Sequence, residues 1–310
     1  MGDPALGFVV RPEHPPEALA GLARAVEDAG FDELWLWEDC FLAGGIATTA
    51  TALAATSRIK VGLGIMPAPV RNAAFVAMEI AALARMYPGR VMPGFGHGVA
   101  DWMRQIGAKP ESQLALLEET VAAVRSLLAG EEVRVDGRYV HLDGVRLDHP
   151  PEQVPLVFTG VRRTRSLALS GRVADGTILS EPSTLSYIEW AREQIAATRP
   201  HRLTVFAWCN VNADGAAARA ALQPLVEERL RVGGPQAEHL GDTADMDALI
   251  GRASVAGTPE QCVASIRALG EAGADSVVLV PHPAHDVDPR ALAELLPLSG
   301  EQHGAWAAPP

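Results

Sequence analysis

Short apolar runs alternate along the chain with longer stretches in which apolar residues recur at helical spacing. Leu6 to Val10 is a compact, β-prone run, and Leu19, Leu22, Ala23 and Val26 then fall at i, i+3, i+4 and i+7, one face of a helix stopped by Gly30. Glu33 to Trp37 reads as a second strand, Ala47 to Thr56 as a helix, and Ile59 to Ile65 as a third strand. A Pro67-Ala68-Pro69 turn leads to a helix from about Asn72 to Met86, and Pro88-Gly89 punctuates before a strand at Val91 to Phe95. Leu114, Leu117, Val121, Val124 and Leu128 share a face of the next helix, which Gly130 ends. Val133 to Leu142 alternates around Asp136-Gly137, a hairpin signal. Strands at Leu156 to Thr159, Val173 to Leu179 and Leu203 to Val211 follow, with a helix at Tyr187 to Ala197 and another at Ala216 to Leu230. Residues 233–257 are richer in Gly, Asp and Thr and read as an excursion. Pro259 to Leu269 is helical, Ser276 to Val280 is the last strand and Pro289 to Leu296 the closing helix.

Near-continuous apolar strands separated by helices indicate a parallel sheet covered on its outer face. Roughly eight such units fit an α/β (β/α)8 TIM barrel better than an open doubly wound sheet. The expected architecture is one barrel domain over residues 1–310, with the hairpin inserted between units four and five.

Composition narrows the function classes. A net charge of −12 disfavours broad contact with nucleic acid or an anionic membrane surface. No apolar run approaches the ~20 residues of a membrane helix, and Met1-Gly2-Asp3-Pro4 lacks the features of a signal peptide, so the expected location is the cytoplasm. Cys40, Cys209 and Cys262 are too scattered for a disulfide framework or a zinc cage.

In a barrel of this kind chemistry sits where strands end. The second strand ends in Trp37-Glu38-Asp39-Cys40-Phe41, and adjacent residues leaving a strand point to opposite faces, so one of Glu38 and Asp39 faces the cavity. Gly94-Phe95-Gly96-His97-Gly98 ends the fourth strand; it is not a dinucleotide fingerprint, because the third glycine would fall at Val99. His97 titrates near working pH and is a candidate proton donor, or a histidine satisfied by a neighbouring carbonyl. Gly160 with Arg162, Arg163 and Arg165 is a candidate phosphate site, or a helix start with solvated arginines. The Trp35/Trp37 pair reads as barrel wall, whereas Trp102 follows the glycine-rich loop, where it could cover a ligand. Cys40 has no Cys-His-Asn order to support it as a nucleophile. His282, His285, Asp286 and Asp288 resemble a metal cluster only briefly, since prolines interrupt it and no third motif supports it; no metal is expected.

Several motifs in order carry a resemblance: Gly30-Phe31-Asp32-Glu33-Leu34-Trp35, Pro69-Val70-Arg71-Asn72, Tyr87-Pro88-Gly89-Arg90, Gly96-His97-Gly98 and Gly171-Arg172-Val173-Ala174-Asp175-Gly176. From Leu6 to about Val280 the chain resembles the bacterial luciferase-like superfamily, nearest the coenzyme F420-dependent oxidoreductases of the methylenetetrahydromethanopterin reductase type. The resemblance implies a deazaflavin or flavin across the C-terminal mouth, with a non-proline cis peptide at Gly64-Ile65 against the ring. It further implies Asp39 beside the ring and Gly96, His97 and Gly98 lining the cofactor. The amides of Gly160 and Val161, helped by Arg162, would take a phosphate, and Ser180 and Glu181 would finish that pocket. Two departures matter. Cys40 stands where the sugar-phosphate dehydrogenase branch has a catalytic histidine, and Val99 where it has a glutamate, which argues against sugar-phosphate oxidation. Glu38, Asp39 and His97 remain as catalytic candidates, and Cys40, Val99 and Trp102 as the substrate pocket.

The function implied is hydride transfer between coenzyme F420 and a small organic substrate with an activated C=C, C=N or C=O bond. The alternatives are an FMN-dependent luciferase-like monooxygenase, which would need a flavin reductase as partner, and a non-catalytic flavin-binding barrel. The helix from Asn72 to Met86 carries Phe75, Val76, Met78, Ile80, Leu83 and Met86 on more than one face, which points to a homodimer.

Overall fold

A computed structural model describes residues 3–241, 245–283 and 288–299. Its strands are β1 (Ala5–Val10), β2 (Glu33–Leu36), β3 (Lys60–Pro67), β4 (Val91–Gly96), β5 (Val133–Asp136), β6 (His141–Val145), β7 (Phe158–Gly160), β8 (Gly176–Leu179), β9 (Arg202–Val211), β10 (Ser254–Gly257) and β11 (Ser276–Pro281). Eight of them close a parallel ring in the order β1-β2-β3-β4-β7-β8-β9-β11, with β11 back on β1. This is a (β/α)8 barrel, and the antiparallel β5–β6 hairpin is inserted between its fourth and fifth units.

The structure departs from the periodicity in the second half. The strand expected from Val173 begins at Gly176, because Val173 ends a helix, Thr164–Val173, that the apolar spacing does not announce. The helix expected over Ala216 to Leu230 is two, Gly215–Ala220 and Gln223–Val232. The excursion holds a further helix, Met246–Ala253, and β10, which extends the sheet by pairing with Trp208–Val211 at the far end of β9. A short helix, Ala100–Gln105, follows the glycine-rich loop. The closing segment Pro289–Ser299 is a 3-10 helix.

Strand alternation sorts the side chains into two cores. Leu6, Phe8, Leu34, Leu36, Val61, Leu63 and Phe95 face the helices. Val9, Trp35, Met92, Phe158, Ile178, Phe206 and Val278 pack together inside the barrel. Trp35 is therefore interior filling, completely buried, and not outer wall. A Cβ on Gly62 would lie 2.3 Å from its indole, so only glycine at that position leaves the ring its place. Beneath the indole sits a buried polar knot. Glu33 accepts from the Trp35 indole N–H at 2.8 Å and the Ser276 hydroxyl at 2.7 Å, and pairs with the Arg202 guanidinium.

Aspartates repeat one device at the strand starts. Asp32 accepts from the Leu6 amide at 2.9 Å, Asp175 from Val157 at 3.0 Å and Asp275 from Leu203 at 2.7 Å, each tying its strand to a neighbour. No helix among the described residues is long and apolar enough to cross a membrane.

Breaking a buried ion pair from one side leaves an uncompensated charge. Arg202→Met is expected to cost about 3–5 kcal/mol in chemical denaturation. Combining it with Glu33→Gln is expected to recover part of that loss, because the stranded carboxylate is removed.

Candidate active site at the C-terminal mouth of the barrel

Glu38 and Asp39 leave β2 in opposite directions. Both oxygens of Glu38 are engaged: Arg71 donates to them at 2.5 and 2.6 Å, and the Gly45 amide at 2.8 Å. That amide opens the helix Gly45–Ala55, so Glu38 caps a helix and holds an arginine. Glu38, expected among the proton-handling residues, thus has both carboxylate oxygens committed to hydrogen bonds with Arg71 and the Gly45 amide. Asp39 instead meets the end of β1. Burial and the neighbouring Glu13 push its carboxyl above the usual range, and Arg11 opposes them.

Arg11 was not among the residues singled out by sequence. It pairs with Glu13 through two hydrogen bonds, 2.5 and 3.2 Å, and its guanidinium carbon lies 5.4 Å over the Trp37 ring. Trp37 stacks on Phe206, 6.1 Å away and 18° inclined, so it belongs to the top of the interior and not to the barrel wall. Its indole nitrogen is buried without a partner.

The opposite side of the mouth is built from glycine. The Gly64–Ile65 peptide is cis, as is Cys40–Phe41. Ile65 is half-buried, and its side chain lies where a Cβ on Gly96 or Gly160 would stand, 2.9 and 2.4 Å away. His97 follows, its Nε2 3.2 Å from the Ser166 hydroxyl, and burial lowers its pKa, leaving the imidazole neutral at pH 7. Gly98 turns the chain with φ +71° towards Val99, which is 48% exposed, and the half-buried Trp102.

At the fifth strand end the arrangement differs from expectation. The Val161 amide donates to the Ile178 carbonyl at 3.3 Å and its side chain is buried, so that amide is spent within the sheet. The helix Thr164–Val173 begins just beyond, with no side chain capping its first turn, and the exposed Arg162, Arg163 and Arg165 surround that end. Arg229, from the helix Gln223–Val232, is the second residue missed by sequence. Burial and the like charge of Arg162 lower its pKa, and Glu181 opposes them. Its Nε is buried without a partner. Glu181 is itself raised by burial, against the fields of Arg11 and Arg229. Gln236 donates to the Ser180 carbonyl at 2.7 Å and its hydroxyl at 3.1 Å, so the excursion forms a wall of this pocket. Leu249 and Ile250 of the excursion join the interior core, together with Leu222 and Val226 of the segment before it.

The structure thus brings Asp39, Ser180 and Glu181 to one mouth with Ile65, Gly96 and His97, and adds Arg11, Trp37 and Arg229. Of the expected polar loop after the last strand, residues 284–287 lie outside the described residues; among those described, no cluster of His, Cys, Asp and Glu could hold a metal.

Comparison with known proteins gives a consistent result. Residues 6–276 match the family model of the luciferase-like monooxygenases. The 5,10-methylenetetrahydromethanopterin reductase of Methanolobus tindarius is 29% identical over 306 residues, covering 88% of this chain and 92% of its own. The solved coenzyme F420-dependent tetrahydromethanopterin reductase of Methanopyrus kandleri superposes with a TM-score of 0.76 at 21% identity, covering 95% of this chain and 97% of its own. The oxygenating constituent of 3,6-diketocamphane monooxygenase from Pseudomonas putida, solved with FMN, gives 0.76 at 17% identity, covering 94% and 96%.

Cys40 is half-buried, and burial together with Glu38 and Asp39 pushes its thiol above the ordinary range, which opposes a nucleophilic role. Iodoacetamide at pH 7 is expected to alkylate it more slowly than a free cysteine, with the rate still climbing above pH ~8.5, the ordinary thiol value. Mass spectrometry of the labelled peptide checks this.

Proposed function

The chain belongs to the luciferase-like monooxygenase family and is an oxidoreductase; from that premise we propose that it binds coenzyme F420 across the barrel mouth and exchanges hydride with a small organic substrate bearing an activated C=C, C=N or C=O bond. The observation that carries this reading is the near full-length similarity to the methylenetetrahydromethanopterin reductase, 88% of the chain at 29% identity.

The residues present fit a flat ring with an anionic tail. Ile65, seated between two glycines that have no side chains to displace it, offers an apolar shelf to a ring. The unpartnered indole nitrogen of Trp37 is a donor awaiting an acceptor at the same mouth. A phosphate is matched by the uncapped first turn of Thr164–Val173 with Arg162 and Arg229, and Ser180 and Glu181 complete that wall. Gly160 contributes its bare backbone there, and the amides beyond Arg163 replace that of Val161 as donors.

A bound deazaflavin supplies or accepts the hydride. The chain holds donor and acceptor together and manages one proton. Asp39 suits that task, because its carboxyl, raised above the usual range by burial, takes up a proton more readily than an exposed aspartate and releases it from its carboxyl oxygen. Neutral His97, held near the Ser166 hydroxyl, would help to position the bound ring. Cys40, Val99 and Trp102 shape the substrate side.

The solved barrel with FMN superposes as well as the F420-dependent one, both at 0.76, so the fold admits FMN-dependent monooxygenation with a flavin reductase partner as a second reading. Fluorescence titration is expected to show F420 binding at least tenfold tighter than FMN, a difference of ~1.4 kcal/mol. Arg162→Ala is expected to weaken F420 by ~1.5–3 kcal/mol through loss of a charge-assisted hydrogen bond. Equal or reversed cofactor affinities would favour the monooxygenase.

Assembly as a homodimer belongs to the same proposal. The helix Ala73–Met86 buries Val76, Ala77, Ile80 and Leu83, yet leaves Phe75 68%, Met78 54% and Met86 60% exposed. Such a second apolar face calls for cover by a partner. Light scattering at micromolar concentration is expected to give the dimer mass, and Phe75→Glu with Met78→Glu to give the monomer mass.

A further inference from the structure

We propose that Tyr187 is a positioning residue for the cofactor's phosphate: its buried hydroxyl fixes the Arg162–Arg163 peptide so that the Arg162 side chain and the Arg163 amide face the anion. The inference rests on the reading that a phosphate binds at the start of the helix Thr164–Val173. The segment leading into that helix is short and held at two points. It follows β7, a strand of three residues, Phe158–Gly160. The Val161 amide donates to the Ile178 carbonyl at 3.3 Å, and the Tyr187 hydroxyl donates to the Arg162 carbonyl at 3.0 Å. A trans peptide points its C=O and its N–H in opposite directions. Drawing the Arg162 carbonyl inward to Tyr187 therefore turns the Arg163 N–H away from the buried side.

The ring behind this hydroxyl is firmly seated. Tyr187 lies in the first turn of the helix Leu185–Ile195, completely buried, and its own amide donates to the Thr184 hydroxyl at 3.2 Å. It stacks on Trp190, with ring centroids 5.6 Å apart, and leans on His239 at 5.8 Å. The hydroxyls of Thr184 and Ser186 both donate to the His239 carbonyl, at 3.1 and 3.2 Å, which ties that loop to the same turn. These contacts belong to the ring and the helix, and a phenylalanine would keep them. What the hydroxyl adds is the bond to Arg162. Burial pushes its pKa well up, against the fields of Arg162 and Arg229, so it remains a donor at working pH. Arg162 and Arg163 are themselves exposed, and no side chain caps the turn they enter, so a hold on the backbone is what orders them.

Tyr187→Phe removes the hydroxyl and keeps the ring. Fluorescence titration of this variant is expected to show F420 affinity lowered about fivefold or more, with affinity for the deazaflavin that lacks the phosphate tail unchanged within about twofold. A residue that merely supports the fold would weaken both ligands alike, so equal losses, or no loss for F420, overturn the proposal. FMN and riboflavin, which differ only by the phosphate, form the same pair if the chain takes FMN. Arg162→Ala with the same ligands tests the underlying reading separately. If it weakens the phosphate-bearing ligand selectively and Tyr187→Phe does not, the phosphate site stands and Tyr187 has no part in it. If neither variant distinguishes the two ligands, the phosphate lies elsewhere and both are refuted. Should Tyr187→Phe not fold, hydrogen exchange of the Arg163 amide in the parent decides: slowing by F420 and not by the phosphate-free deazaflavin is expected, and no slowing refutes the proposal.

Discussion

A carboxylate deep inside the barrel organises what lies above it. Glu33 gathers the Arg202 guanidinium, the Ser276 hydroxyl and the Trp35 indole N–H, so residues of β2, β9 and β11 meet on two oxygen atoms. A buried ion pair adds little stability over a well-packed apolar core. What this one supplies is placement, because hydrogen bonds have direction and hydrophobic contacts do not. With the Trp35 indole anchored by its nitrogen, the ring has one position, and Gly62 on the neighbouring strand must lack a side chain to receive it.

That asymmetry propagates to the mouth. Above Trp35 the aromatic side continues through Phe206 and Trp37 to Arg11, ending in a cation. The facing strands carry glycine at 64, 96 and 160, and Ile65 occupies the room they leave. One wall of the mouth is therefore aromatic and charged, and the other is backbone and one aliphatic side chain. A flat, redox-active ring suits such a cleft, since one face can rest on the aliphatic shelf while its edges meet polar groups. The third wall comes from the helix Gln223–Val232 and the excursion after it, where Arg229 and Gln236 reach the end of the sixth barrel strand.

Several residues that carry the family resemblance turn out to be joints. Asp32 and Asp175 tether neighbouring strands, Asn72 accepts from Ala74 to start its helix, and Arg90 donates to the Ile59 and Thr56 carbonyls. Arg71 reaches back to Glu38. Barrel geometry depends on these joints whatever the reaction, whereas Cys40 and Val99, proposed for the substrate side, depart from one branch of the family. Chemistry can vary at such positions without disturbing the frame.

The family resemblance placed the Gly64–Ile65 bend; the sequence pattern by itself determined the eight-fold alternation, the inserted hairpin and the glycine-rich strand ends. Each is a local property: periodicity reports which face of an element is buried, and glycine reports where backbone must come close. Only the tertiary structure decided the rest. β10 is four residues that include a glycine, too short to announce itself, and it is a strand because the end of β9 offers it a ladder. Arg11 and Arg229 are ordinary surface-type residues in their own segments, and they became site residues when strand closure and the folding back of the helix Gln223–Val232 brought them to the mouth with Asp39 and Glu181. Glu38 is as acidic in sequence as Asp39, and the arginine that claims it lies 33 residues away. Charge pairing and burial are relations between distant segments, so no single stretch of chain contains them.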